Sequence, residues 1–168
     1  MIFSVYNYKQ TITSEIINLL IKDINYEIDI NEYKNVPGTQ TASILQLKKN
    51  IHWNKIKETL VDSLIRCLKP KEISILKMWA YLDKINKPSI SEWHTHKDSN
   101  YSAVMYLQFP KQEQLGTLFK IDDDIYQAPG IIANWIIFPS NIIHKPPVWN
   151  YNNADKDRIT LAVTLIIK

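Results

Sequence analysis

The chain changes hydrophobic texture at Pro70. Before it, apolar residues recur at helical spacing. Ile16, Ile17, Leu19, Leu20, Ile21 and Ile24 lie close to one stripe. They predict a helix from Thr13 to about Ile24, capped by Thr13 or Ser14. Ile56, Leu60, Val61, Leu64, Ile65 and Leu68 predict a second helix from about Trp53 to Leu68, stopped by Pro70. Val36-Pro37-Gly38-Thr39 between them is a turn signal. After Pro70, short runs rich in Ile, Val, Tyr, Trp and Thr alternate with turn residues. They are Ile73–Leu82, Ile90–His94, Tyr101–Phe109, Thr117–Ile121, Ile131–Phe138 and Ile159–Ile167. Several strands with no helix pattern between them predict a sandwich or barrel. The expected organisation is a single domain over 1–168, mainly β with α. Residues 1–70 form a mostly helical N-terminal cover and 71–168 the β core.

Composition narrows the chemistry more than the fold. A chain of 168 residues with 45% hydrophobic and 22% charged residues is one globular domain rather than a disordered segment. The single cysteine, Cys67, excludes an intrachain disulfide and a thiolate-rich zinc site. The three glycines, Gly38, Gly116 and Gly130, are too scattered to cradle a phosphate. The net charge of +3 comes from 20 basic and 17 acidic residues, and only Arg66 and Arg158 are arginine. With lysines dispersed among acids, nucleic acid is not the expected partner. No run approaches the ~20 apolar residues that span a bilayer. The first residues lack the basic and apolar regions of a signal peptide, so a soluble, cytoplasmic protein is expected.

The candidate chemistry lies in the β half. His94-Thr95-His96 is followed by Asp98, and His144 comes just after an apolar run. On a strand, residues i and i+2 point to one face, so two imidazoles at that spacing can share an ion. A third ligand from a distant strand completes a facial set with open positions. Two registers are available: His94, His96 and His144, or His96, Asp98 and His144. The second is the common two-histidine-one-carboxylate set. The first leaves more chain for the reversal before Ser102, and it is the register favoured here. An ordinary reading, two surface histidines in a turn and one histidine in a loop, stands beside both.

An ordered series of short motifs accompanies these histidines. Met78-Trp79-Ala80-Tyr81 precedes His94-Thr95-His96. Ser102-Ala103-Val104-Met105-Tyr106-Leu107 follows, and then Pro129-Gly130. After the apolar run Ile131–Ile137 come Phe138-Pro139, His144 and Arg158-Ile159-Thr160. Over roughly residues 75–167 the chain resembles small non-haem Fe(II), 2-oxoglutarate-dependent oxygenases of bacteria and phages. The first 70 residues carry no such likeness. The resemblance implies a double-stranded β-helix, or jelly-roll, and a dioxygenase. Such an enzyme couples decarboxylation of 2-oxoglutarate to oxidation of a substrate, a small molecule or a protein side chain, with dioxygen consumed.

The same resemblance implies roles for other residues. Arg158 and Thr160, two apart on a strand, would hold the distal carboxylate of 2-oxoglutarate, since arginine offers carboxylates two parallel charge-assisted bonds. The plainer alternative is a surface arginine paired with Asp155 or Asp157. Tyr106, and less strongly Tyr81, would place a hydroxyl on the cosubstrate, although core packing explains either. Trp79, Trp93 and Trp135 are expected in the core or pocket wall, His52 facing solvent, and Cys67 as a small hydrophobe. Loops 83–89, 97–101, 111–116 and 145–157 should form the pocket rim, and Asp122-Asp123-Asp124 a solvated turn. Two rival readings remain: a cupin-type metal enzyme without 2-oxoglutarate, and a non-catalytic β-helix protein. The first usually carries a Glu shortly after H-x-H, which is lacking here.

Overall fold

The computed structural model of the chain describes residues 2–5, 11–31, 39–43, 45–83, 92–110, 115–147 and 155–168. Two helices pack on one face of a β-sandwich. Helix α1 (Ser14–Asn31) is capped by Thr13, whose Oγ1 accepts from the Ile16 N–H. It runs past the predicted end at Ile24. Leu20, Ile24 and Ile28 continue one buried stripe at i+4 spacing, which outweighs the weak helix formers Asn25 and Tyr26. Helix α2 (Ile51–Leu68) starts where the Asn50 side chain accepts from the Trp53 N–H, and ends at Lys69 in the left-handed region, just before Pro70.

The helices are joined by an ionic and hydrogen-bonded clamp. One Asp23 carboxylate oxygen accepts from His52 Nε2 (2.8 Å), Trp53 Nε1 (2.8 Å) and Asn50 Nδ2 (3.1 Å). Burial alone would raise the Asp23 pKa, but these donors outweigh it and hold the carboxyl below its usual value. His52 is therefore buried between the helices, not turned to solvent as expected from its place on a helix surface.

Among the described residues the strands form two antiparallel sheets. The larger contains β1 (Phe3–Val5), β2 (Thr39–Gln40), β3 (Ile73–Asp83), β4 (Tyr101–Gln108), β7 (Trp135–Pro139) and β9 (Arg158–Ile167), in the order β1-β7-β4-β9-β3-β2. The smaller contains β5 (Leu115–Ile121), β6 (Asp124–Pro129) and β8 (Ile143–Lys145), in the order β6-β5-β8. Both edges of the larger sheet are thus supplied from the first 40 residues, which the sequence reading treated as helical cover. The predicted strand Ile131–Phe138 is cut by a turn. Ala133 takes φ 63°, and its N–H donates to the Tyr106 carbonyl, so regular pairing begins at Trp135. Of the predicted strand Ile90–His94, residues 90–91 lie outside the described residues, and His94 makes only an isolated bridge.

Alternation along the central strands separates two cores. Met78, Ala80, Leu82, Ala103, Met105, Trp135, Ile137, Leu161, Val163 and Leu165 pack against helix residues Leu20, Ile24, Trp53, Ile56, Leu60 and Leu64. Their neighbours point into the sandwich, where Val104, Tyr106, Phe109, Phe119, Ile136 and Phe138 make a second cluster. This double burial explains why β4, β7 and β9 read as near-continuous apolar runs. It also gives the polar residues in them, Ser102, Arg158, Thr160 and Thr164, a shared interior address.

Candidate active site

Between the sheets lies a cavity of ≈ 650 Å³ that reaches from the histidines to Arg158. Its histidine end is assembled by backbone pairing. His94 and His144 form an antiparallel bridge in which each N–H donates to the other's carbonyl at 3.0 Å. Such a pair sets the two side chains next to each other on one face. His144 is also held in β8, where it pairs with Phe119 of β5. His96 reaches the same face from two residues beyond His94, and its N–H donates to the Ser140 carbonyl at 3.0 Å. One ring nitrogen from each of His94, His96 and His144 lies within 4.8 Å of those of the other two.

Tautomers follow from the partners. His94 Nδ1 lies 2.9 Å from the Glu92 carbonyl and His144 Nδ1 2.9 Å from the Ile142 carbonyl. A carbonyl only accepts, so each Nδ1 carries a proton, which leaves Nε2 as the nitrogen able to hold an ion. Burial pushes His96 down to about 4, with the His94 and Lys77 charges acting the same way. Burial likewise pushes His144 down to about 4, against the Ile142 carbonyl bond and with His94 and His96 adding to the fall. Both rings are neutral donors at physiological pH. The set fits a divalent ion of the kind that imidazole binds. Asp98 stands apart: its side chain is 86% exposed and lies 3.8 Å from Lys77 Nζ.

The turn behind His96 is tied down by groups that sequence reading passed over. Ser140 is fully buried, and its Oγ lies 2.7 Å from Ser99 Oγ and 2.8 Å from Ser102 Oγ. Asn100 anchors the turn to β9 through its side chain, donating to the Ile167 carbonyl and accepting the Ile167 N–H. Aromatic edges wall the histidines. Trp79 meets His96 at 5.8 Å and Phe138 meets His144 at 4.7 Å, both near perpendicular.

The far end is built on paired strands. Arg158 sits opposite Asp83 of β3, and Thr160 opposite Tyr81 of β3 and Tyr106 of β4. Arg158 is buried and its Nη1 lies 3.3 Å from Asp83 Oδ2, so its acidic partner is neither Asp155 nor Asp157. Asp83 is distant in sequence, and only the β3–β9 register brings it in. The guanidinium also lies 5.7 Å from the centre of the Tyr106 ring. Arg158 Nε and Thr160 Oγ1 are both buried without a hydrogen-bond partner. Orphaned polar atoms are costly, so two together imply a ligand that accepts from them. A carboxylate fits.

The remaining candidates fall into place around this axis. Tyr106 has its hydroxyl engaged: it accepts the Thr117 N–H at 2.6 Å and lies 2.8 Å from Thr117 Oγ1. Burial raises its pKa despite Arg158 and these bonds, so it stays a phenol. Its ring face also lies against the Arg158 guanidinium. The strand that brings Thr117 there needs Gly116, because a Cβ at that position would collide with the Ala128 carbonyl. Tyr81 and Trp79 line the cavity from β3, while Trp135 is wholly in the helix-side core. Trp93 lies under Lys145 Nζ at 4.7 Å. Asp122–Asp124 form an exposed hairpin turn, as expected. Of the predicted rim, residues 97–99 and Pro146 line the cavity, and 84–89, 111–114 and 148–154 lie outside the described residues.

No protein-family model and no curated protein matches the chain in sequence. Solved structures do match in shape. A Pseudomonas putida prolyl-4-hydroxylase aligns over 99% of this chain and 92% of its own, with TM-score 0.63 and 12% identity. The viral collagen prolyl hydroxylase of Paramecium Bursaria Chlorella virus-1, solved with 2-oxoglutarate, aligns over 98% and 94%, with TM-score 0.59 and 10% identity. The α-ketoglutarate-dependent epimerase SnoN of nogalamycin biosynthesis aligns over 98% and 78%, with TM-score 0.69 and 10% identity. The chain has the jelly-roll fold of the 2-oxoglutarate-Fe(II) oxygenases. At these identities the likeness speaks for the fold, and the chemistry rests on the residues above. Among the described residues, no helix is long and apolar enough to cross a membrane.

Proposed function

We propose that the protein is an Fe(II)- and 2-oxoglutarate-dependent dioxygenase, acting as a hydroxylase. One observation carries the reading: a cluster of three imidazoles shares a single cavity with a buried arginine and threonine whose polar atoms lack partners. His94, His96 and His144 would hold the ion, His94 and His144 through the ring nitrogens that the backbone carbonyls leave free. Arg158 and Thr160 would bind the distal carboxylate of 2-oxoglutarate. When bound, iron and 2-oxoglutarate supply the oxidative chemistry, decarboxylation to succinate coupled to oxidation of a C–H bond by dioxygen.

The chain's own contribution is placement and exclusion. Asp83 and the Tyr106 ring hold the guanidinium. Trp79 and Phe138 shield two of the imidazoles from water. Asp98, exposed and beside Lys77, is the weaker candidate for the third ligand. Tyr81 lines the path between the two ends. A peptidyl proline is a reasonable first substrate to test, because two of the proteins alike in fold are prolyl hydroxylases.

Anaerobic iron loading followed by succinate detection on exposure to air tests the proposal. Stoichiometric iron with succinate supports it. Iron without succinate points to the cupin-type reading, and neither to a non-catalytic β-helix protein.

A further inference from the structure

On the inner face of β9, side chains at i, i+2 and i+4 stand in line, and each is flanked by neighbours on β3 and β4. Arg158 and Thr160 make the polar end already described. The next row is apolar: Trp79, Ala162 and Val104. His96 packs on it, its ring 5.8 Å from that of Trp79. The row after that is polar again: Lys77, Thr164 and Ser102, all lining the same cavity. At ~3.3 Å per residue, Thr164 lies about 7 Å past the Ala162 row, on the side away from Arg158. Ser102 is engaged by Ser140. Thr164 is not: it is only 6% exposed, and its hydroxyl has no hydrogen-bond partner among the described residues. A hydroxyl left unpaired at that depth is costly and points to a ligand. Beside it, Lys77 Nζ lies 3.8 Å from Asp98 Oδ2, within ion-pair reach but beyond hydrogen-bond length. The ammonium and the carboxylate therefore both keep bonding capacity.

We infer that Lys77, Thr164 and Asp98 form a substrate subsite for a free α-amino acid. The inference rests on Arg158 being the cosubstrate anchor proposed above, which leaves this second polar row to the substrate. The amino acid's carboxylate accepts from Lys77 Nζ and Thr164 Oγ1, and its ammonium donates to Asp98. A carboxylate alone would meet Asp98 as a like charge, and an amine alone would meet Lys77 in the same way. The zwitterion suits both. Its side chain then projects across the Ala162 row towards the histidines, so the C–H bond presented for oxidation belongs to the side chain. A peptidyl residue carries neither charge and makes neither ionic contact.

The test is proton relaxation of L-norvaline by protein loaded with manganese, a paramagnetic ion, and saturated with 2-oxoglutarate under anaerobic conditions. Pentanoate, butylamine and N-acetyl-norvaline amide serve as comparisons, lacking the ammonium, the carboxylate and both charges respectively. Norvaline should bind tightest of the four. Its methyl protons should relax faster than its α-proton, because the charged end is held away from the ion. Thr164→Val should weaken norvaline about tenfold, through loss of a hydrogen bond to a charged group. Lys77→Gln should weaken it about fivefold, the measure of a half-exposed ion pair. Both variants, shown to be folded by their thermal transitions, should bind 2-oxoglutarate as wild type does. Pentanoate or the blocked derivative binding as tightly as norvaline overturns the inference. So does an α-proton relaxed more strongly than the methyl group, which would put the amino acid's own charged end on the ion. Undiminished norvaline binding in Lys77→Gln overturns it too, an arm that stands even where Thr164→Val does not fold. Protein that takes 2-oxoglutarate but relaxes none of the four probes overturns this inference alone. Protein that takes manganese but no 2-oxoglutarate overturns the cosubstrate reading and this inference together.

Discussion

The two ends of the cavity are made by different means. Arg158 and Thr160 lie within β9, which is laddered to β3 on one side and β4 on the other. Their backbone is fixed before any ligand arrives. The histidines sit on an isolated bridge, beside a turn, and on a strand of three residues. Few ladder bonds hold them, and much of the order comes from Ser140, Asn100 and two carbonyl-bound Nδ1 atoms. The arginine end is a property of the sheet, whereas the histidine end is a convergence of loops that an ion would complete. Metal binding and fold stability should be coupled at the second end and nearly independent at the first.

Four measurements bear on that contrast. The largest effect is expected from His144→Ala, which should abolish stoichiometric iron binding while the apoprotein remains folded, as read by metal analysis and circular dichroism. Full iron occupancy in that variant would dismiss the histidine centre. Arg158→Ala should leave metal binding intact but weaken 2-oxoglutarate by about 2–4 kcal/mol. It should also cost the apoprotein about 3–5 kcal/mol, because the buried ion pair between Arg158 and Asp83 would be broken. Denaturant melts that show no loss would mean Asp83 finds other compensation.

A pH comparison separates the ends without mutation. His96 and His144 are held near 4 in the folded chain, against about 6.5 when unfolded. Between those values the unfolded state binds more protons, so stability rises with pH. The apoprotein should therefore lose stability as pH falls from 6.5 towards 4, and His144→Ala should flatten the slope. An equal slope in the variant would place the titrating groups elsewhere. Ser140→Ala should have the smallest effect, about 1 kcal/mol for the lost hydroxyl bonds. A few-fold rise in the metal dissociation constant should accompany it, because Ser140 also carries the carbonyl that fixes His96. Unchanged metal affinity would show that the backbone bond suffices.

Much of this was legible in the sequence, for identifiable reasons. Helix α2 and strands β3, β4 and β9 are long and patterned on both faces, so their extents came within a few residues. The H-x-H spacing and the distant His144 marked the histidine end. What was not legible depended on register or exposure. β1 and β2 are too short for any periodicity, and β6 is solvent-exposed along most of its length, including Ile125 and Tyr126. Asp83 looked like the acid of a loop start, and only its pairing opposite Arg158 makes it a partner. Tyr106 lines up as expected, but a sequence cannot say that its hydroxyl accepts the Thr117 N–H. His52 read as solvent-facing because Asp23, its partner, lies 29 residues away on another helix.

The position of β9 has a consequence for how the chain acquires its shape. It follows β3 and β4 in the chain, yet it lies between them in the middle of the larger sheet. During synthesis β3 and β4 must wait, with hydrogen-bonding edges unpaired, until the residues up to Ile167 have left the ribosome. Such long-range closure is slow and leaves intermediates open to aggregation. Nascent chains arrested before Arg158 should be digested by protease, and protection should appear abruptly once β9 emerges. The cavity, which needs Arg158 and the histidines together, is therefore born in a single step once β9 emerges.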